Sequence, residues 1–218
     1  HASAQTLRFA HVDPDDWTTS KKGAAGQVFK NLVEAETDLT VELYPAGSLG
    51  GETELIEGAQ DGTISIAMVS GAYANFCPAV AVTDIPYTFP SAPVAWEVMD
   101  GEVGDELKRL SEEKGLVLLA LWDNGIRHVS NNIRPIETPD DLEGLKIRTP
   151  PDEMTVDIFE ALGSNPTPMN FSELYIALEQ GVVDGQENPL MNIYSSKLHE
   201  VQDYISLTGH KYESTPLL

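Results

Sequence analysis

Apolar and polar positions along this chain switch several times between a period of two and a period of about 3.6, and each switch marks a passage between strand and helix. Leu7 to His11 reads as a short apolar strand, followed by an aspartate-rich polar turn from His11 to Trp17. From Thr18 to Glu36, Ala25, Val28, Phe29, Leu32 and Val33 recur at helical spacing and predict an amphipathic helix with its polar face outward. Leu39 to Tyr44 alternates as a strand, Glu52 to Gln60 predicts a helix ended by Asp61 and Gly62, and Ile64 to Val69 predicts a buried strand. Pro86, Pro90 and Pro93 punctuate a connection. Val94 to Lys114 then predicts one helix capped by Gly115, and the apolar run Leu116 to Trp122 predicts a parallel strand buried on both faces.

Asp123, Asn124 and Gly125 form a turn signal, after which a second series begins with a strand from Ile126 to Ser130. It continues with a short helix, a strand at Leu145 to Thr149, a helix at Glu153 to Leu162 and a strand at Asn165 to Met169. The helix at Ser172 to Gln180 has a capping box in Asn170 and Glu173 and is closed by Gly181. Val182 to Asp184 predicts a strand and Pro189 to Leu198 a helix, while Val201 to Leu207 and His210 to Glu213 predict strands leading back to the first series. The fold class expected is α/β in two lobes. Residues 1–123 with 209–218 form the first lobe and residues 124–208 the second, hinged near 124 and 209.

Charge narrows the partners. The formal net charge is -22, from 35 acidic and 13 basic residues, and five of the basic ones are arginine. No basic patch is available to displace counterions, so nucleic-acid binding and adsorption to an anionic membrane are disfavoured. A small anion remains compatible, because surface charge is screened within about 8 to 10 Å. The single cysteine, Cys77, permits neither an intrachain disulfide nor a thiolate metal site. No apolar run reaches the roughly 18 residues that a membrane-spanning helix needs. Ala2, Ser3 and Ala4 before Gln5 have the small-x-small form of a signal-peptidase site, and equally that of a small-residue terminus.

No catalytic motif is present: there is no G-x-S-x-G, H-E-x-x-H, Walker loop or G-x-G-x-x-G. His11 with Asp13, Asp15 and Asp16 lacks the glycine and distal glutamate of a calcium loop, and reads as a solvated capping turn. Arg148 ends the alternating strand GLKIRT before Pro150 and Pro151, at the sheet edge where α/β folds bind ligands, and its planar fork matches a carboxylate. Arg127 lies in the neighbouring strand. Each arginine reads either as a surface ion pair or as a ligand anchor. Asn188 reads as a helix cap or a site residue, and Phe171 as core or as a ligand platform.

The segments YPAGSLGG, WDNGIRHVSNN, LEGLKIRTP, ALGSNPTPMNFSELYIALEQGVVDGQENP and SSKLHEVQDYISLTGH, at these separations, resemble the DctP-type substrate-binding proteins of tripartite ATP-independent periplasmic (TRAP) transporters along essentially the whole chain. The resemblance implies a periplasmic-binding-protein-like fold with a hinge and an interlobe cleft. It also implies a non-enzymatic, exported receptor without cofactor or metal, which captures an organic acid and delivers it to the membrane permease. By the same resemblance Arg148 makes the main bidentate contact to the ligand carboxylate, Arg127 supports it, and Asn188 and Phe171 line the pocket. His11, Glu52 and Ser70 are the first-lobe positions that vary with the ligand; here they lean toward a hydroxylated acid such as a uronate, with a C4-dicarboxylate next. Ser70, where other members carry an acid for larger ligands, counts against a sialic acid. Family members continue for about another 80 residues of helices beyond the equivalent of Leu218, so the chain is expected to lack them. The open receptor is expected to present both arginines to solvent. The competing readings are an α/β enzyme with His11 or Asp16 as base, and the ligand-binding module of a sensor.

Overall fold

A computed structural model describes residues 5–218; the expected cleavage site at Ala2 to Ala4 lies outside the described residues. Strand β1 (Thr6–His11) is flanked in parallel by β2 (Thr40–Tyr44) and β3 (Ile66–Met68), with helices α1 (Lys21–Glu36) and α2 (Glu52–Asp61) as the crossovers. The first helix starts later than its periodicity suggests. Asp16 Oδ1 accepts from the Thr18 backbone at 2.9 Å, holding that stretch in a turn, and Ser20 caps α1 by accepting from the Gly23 N–H.

The predicted single helix after the proline-rich connection is two, α3 (Ala92–Met99) and α4 (Glu102–Glu112). The break brings Gly104 onto the Met99 carbonyl, where any Cβ would collide. Short 3-10 turns at Gly71–Asn75 and Pro78–Asp84 fill the connection before them. Strand β4 (Ala120–Asn131) then runs straight through the expected turn at Asp123 to Gly125. The turn residues serve the strand instead. Gly125, at φ +125°, takes up a register shift, and Asp123 accepts from Lys21 Nζ at 2.9 Å and from Trp96 Nε1 at 3.0 Å.

Strand β5 (Lys146–Thr149), helix α5 (Glu153–Ala161), strand β6 (Asn165–Pro168) and helix α6 (Phe171–Glu179) follow the predicted order, and the capping box of Asn170 and Glu173 is formed. The next strand is shifted along the chain: β7 is Gly185–Pro189, so Asn188 is a strand residue and Pro189 caps helix α7 (Leu190–Ser195). The two terminal strands predicted are one, β8 (Tyr204–Leu217). All eight strands form one sheet in the order β2-β1-β3-β8-β4-β7-β5-β6. The long strands β8 and β4 are antiparallel to each other and link the parallel group β2-β1-β3 to the parallel group β7-β5-β6. The predicted parallel strand at Leu116 to Trp122 is therefore corrected. Leu116 and Leu118 are buried while Val117 and Leu119 are 60% and 51% exposed, so this run has one wet face.

Alternation on β1 sends Phe9 and Ala10 into separate clusters on opposite faces of the sheet, Phe9 beneath α1 and Ala10 beneath α2. In the other half, Phe159 of α5 joins Ile147 of β5 in one buried cluster, while Leu174, Leu178 and Ile193 join α6 to α7. Phe159 is fully buried and meets the His210 ring edge-on at 5.3 Å, so Phe159→Ala should cost about 3 to 5 kcal/mol in denaturant unfolding. Val28→Ser, at a site 56% exposed, should stay within about 0.5 kcal/mol.

Candidate functional site

The two halves of the sheet meet at a narrow cleft that encloses about 30 Å³. One wall comes from the ends of β5 and β7 and the start of α6; the other comes from the turn after β1, the first turns of α1 and α2, and Ser70.

Arg148 stands one residue before the end of β5, where Pro150 and Pro151 stop the strand, and it is only 2% exposed. Its Nε and one terminal nitrogen donate to the Met169 carbonyl at 2.9 and 2.7 Å, and the guanidinium carbon lies 5.7 Å from the centre of the Phe171 ring. Among the described residues Arg148 makes no ion pair. Burial pulls its pKa down to about 10, against the pull of the Glu187 charge, so it remains a cation at neutral pH. Among the described residues its remaining donors have no carboxylate to meet.

Arg127, in β4, differs. Its Nε and one terminal nitrogen grip Glu187 at 2.5 and 2.6 Å, and its other terminal nitrogen donates to Glu213. Burial disfavours its charge, but the carboxylates of Glu187 and Glu213 outweigh that and hold its pKa above the ordinary arginine value. The expectation that both arginines face solvent is thus corrected. Both are buried, because Arg127 is enclosed by its own glutamates and Arg148 is covered by the Met169 carbonyl and the Phe171 ring.

Asn188 joins this set from β7, its Oδ1 accepting from Arg127 at 3.2 Å and its Nδ2 donating to Gln186 at 2.6 Å. From the other wall come Glu52, the first residue of α2, and Ser70. Burial raises the Glu52 pKa, and the nearby Lys22 ammonium opposes that rise. Of the seven residues singled out in the sequence, Arg148, Arg127, Asn188, Phe171, Glu52 and Ser70 line the cleft, while His11 does not. It is buried at the end of β1, and the chain turns there so that Val12 and Asp13 reach the cleft.

Sequence reasoning passed over Lys22 and placed Asp13 in a solvated turn. The Lys22 Nζ lies 3.2 Å from Asp13, 3.5 Å from Glu52 and 2.8 Å from Ser70 Oγ. Asp13 is 3% exposed, which corrects the solvated turn expected there, although Asp16 does bind its own Thr18 and Thr19 as a capping turn should. A signal was available. Gly23 and Gly26 beside Lys22 mark the close-packed face of α1, and a Cβ on Gly23 would press on the Pro14 carbonyl at 2.9 Å. Among the described residues no group of three or more His, Cys, Asp or Glu side chains could hold a metal ion, and no helix is long and apolar enough to cross a membrane.

Comparison with known proteins identifies the fold. The family described as bacterial extracellular solute-binding protein, family 7 (DctP) matches residues 9–218. This chain belongs to that family. It is 40% identical over 219 residues to the 2,3-diketo-L-gulonate-binding periplasmic protein of Escherichia coli, covering 99% of this chain and 65% of that protein. A TRAP periplasmic solute-binding protein from Polaromonas sp. JS666, solved with D-erythronate, superposes with a TM-score of 0.93 at 40% identity, covering 98% of this chain and 70% of the other. One from Sulfurospirillum deleyianum, solved with succinate, gives 0.92 at 35% identity, covering 99% and 70%. The chain spans 36% to 65% of the length of the first curated relatives it matches. The mixed α/β architecture with a single eight-stranded sheet is that of the DctP family.

His11 gives this family member a pH signature. Burial lowers its pKa from 6.5 to about 4, and among the described residues Nδ1 has no hydrogen-bond partner. The neutral ring is the folded form, so above pH 6.5 the group is indifferent to folding; between pH 6.5 and about 4 the unfolded chain takes up the proton first. About 3 kcal/mol of stability should be lost across that window. Denaturant unfolding at a series of pH values should show a shallower decline in His11→Gln than in the wild type.

Proposed function

We propose that this chain is the ligand-binding part of a TRAP-transporter receptor, which captures an organic acid in the periplasm and hands it unchanged to a membrane permease. The observation that carries the reading is Arg148, a buried, cleft-lining cation that pairs with no carboxylate among the described residues. A guanidinium in that position gains a partner when a carboxylate enters. Arg127, Asn188 and Phe171 frame it, while Glu52 and Ser70 meet the rest of the ligand. The two halves act as lobes, divided as 1–123 with 209–218 and 124–208, and close by bending of β4 and β8 near Gly125 and Gly209, whose φ angles of +125° and +54° suit local distortion. Export, with removal of a signal peptide near Ala4, belongs to the same reading.

Hydroxylated acids such as uronates are the favoured ligands and C4-dicarboxylates come next, in keeping with relatives that carry 2,3-diketo-L-gulonate, D-erythronate or succinate. Turnover is disfavoured on physical grounds. The Asp16 carboxylate is held below its usual range by hydrogen bonds from Thr18, and burial lowers the His11 pKa to about 4, so neither is a good base near neutrality.

Charge-assisted hydrogen bonds contribute about 1.5 to 3 kcal/mol each, so a bidentate contact supplies much of the roughly 8 kcal/mol of a micromolar complex. Titration calorimetry with D-erythronate, D-galacturonate and succinate should find at least one ligand, and Arg148→Ala should weaken its binding on the order of 100-fold or more. Arg148→Lys, which keeps the charge but not the fork, should fall between. Unchanged binding by Arg148→Ala refutes the assignment.

A further inference from the structure

Next to the cleft, the 3-10 turns Gly71–Asn75 and Pro78–Asp84 meet the start of α5, and there the buried ammonium of Lys211 stands among three buried carboxyl groups. Lys211 Nζ donates to Thr155 Oγ1 at 2.6 Å and lies 3.4 Å from Glu213 Oε1 and 3.6 Å from Asp84 Oδ2. Asp152 is the third acid. Its Oδ1 caps α5 by accepting from the Thr155 N–H at 2.7 Å, and among the described residues its buried Oδ2 has no hydrogen-bond partner. Gly71 makes the approach possible, because a Cβ there would stand 2.8 Å from Asp152 Oδ2 and 3.1 Å from Glu213 Oε1. Asn75 Nδ2 donates to the Pro151 carbonyl at 2.7 Å, a second tie along the same seam. Charge is out of balance here. Asp84, Asp152, Glu187 and Glu213 are buried acids, and among the described residues the cations paired with any of them are Lys211, on Asp84 and Glu213, and Arg127, on Glu187 and Glu213. His210 donates no charge to Glu187 at neutral pH, since burial lowers its pKa, and Thr83 and Thr155 bring hydroxyls. Burial pushes the Asp84 carboxyl up to about 7 against the pull of Lys211, and raises Asp152 as well, while Arg127 and Lys211 hold Glu213 below its usual range in spite of burial.

We propose that this seam is a proton-loaded latch: Asp84 takes up a proton from solvent as α5 brings Asp152 against it, so the closing of the two lobes over an organic acid is accompanied by proton uptake. Asp84 and Gly71 belong to the first lobe and Asp152 and Thr155 to the second. In the open form α5 carries the Asp152 charge away and water reaches Asp84, which then ionises beside Lys211 as an ordinary carboxylate does. The sign follows. The closed-form pKa stands above the open-form one, so closure is favoured as pH falls toward and below about 7, and that advantage is lost as pH rises through 7. The proposal rests on the reading of capture by closing lobes, and it adds what closure exchanges with solvent.

Calorimetry in two buffers of different ionisation enthalpy counts the protons directly, with D-erythronate, D-galacturonate and succinate as the probes. Against an open-form Asp84 near the ordinary aspartate value, binding should take up about half a proton at pH 7 and nearly one at pH 6, and affinity should fall roughly tenfold from pH 6 to pH 8. Asp84→Asn, which has the shape of the protonated acid, should bind with no uptake and a flat pH profile, and at pH 8 should hold the ligand about as tightly as the wild type does at pH 6. Asp152→Asn keeps a capping oxygen for α5 and removes the like charge, so it should lower the uptake, and it serves as the second variant if Asp84→Asn folds poorly. Binding without proton uptake, or an uptake that both variants leave unchanged, overturns the latch and leaves the receptor reading standing. If none of the acids binds, the latch falls together with that reading.

Discussion

The buried ion pair between Arg127 and Glu187, extended to Glu213, is the constraint on which the cleft depends. Glu187 and Glu213 are 0% and 1% exposed, and Arg127 contacts both. Burial works against ionising Glu187, but the Arg127 guanidinium and the His210 hydrogen bond hold its pKa well below the usual carboxylate range. Pairs of this kind contribute little net stability against an apolar replacement; their use is to fix geometry, since removing one partner leaves a stranded charge. Here the result is chemical as well. With both glutamates committed to Arg127, neither pairs with Arg148, whose donors stay available to the cleft.

The pairing is made possible by β4, which carries Arg127 between β7 and β8. Arg127 stands opposite Pro189 on one side and Lys211 on the other, close to the strand residues that bear the two acids. Glu213 also accepts from Lys211 at 3.4 Å, and Lys211 reaches Thr155 Oγ1 at 2.6 Å and Asp84 at 3.6 Å. Burial pushes the Asp84 carboxyl up to about 7 despite that lysine. One network thus runs from the cleft to the helix α5 and the 3-10 turn ending at Asp84. In the proposed closure these groups move as fixed blocks, and the bending falls on the irregular stretches of β4 and β8.

Much of this was legible in the chain. Element order and the capping box at Asn170 follow from local patterns that the fold obeys, whereas the convergence of Phe171 and Glu52 on Arg148 was implied only by the resemblance to the DctP-type proteins. The errors share a cause. Asp123-Asn124-Gly125 and Gly209 are turn signals, and in the sheet they became bulges because long-range pairing of β4 with β8 outweighs local turn chemistry. Lys22 was missed because a charged residue at the start of an amphipathic helix is assigned to solvent, while here Val28 and Leu32 are the exposed positions at 56% and 57%. Only the tertiary arrangement of Asp13, Glu52 and Ser70 makes burying that ammonium tolerable.

How a chain of net charge -22 can serve an anion is then a matter of pairing rather than of totals. Surface acids beyond about 8 to 10 Å are screened, and what a ligand meets is the cleft itself. There Lys22, Arg127 and Arg148 stand against Asp13, Glu52 and Glu213, which is formally neutral. A neutral average would attract nothing if the charges were evenly paired. They are not: Lys22 and Arg127 are each held by two carboxylates, while among the described residues Arg148 meets the Met169 carbonyl and the Phe171 ring and no carboxylate. In the proposed reading, an entering carboxylate would therefore settle at Arg148, the cation of the cleft that no carboxylate among the described residues holds.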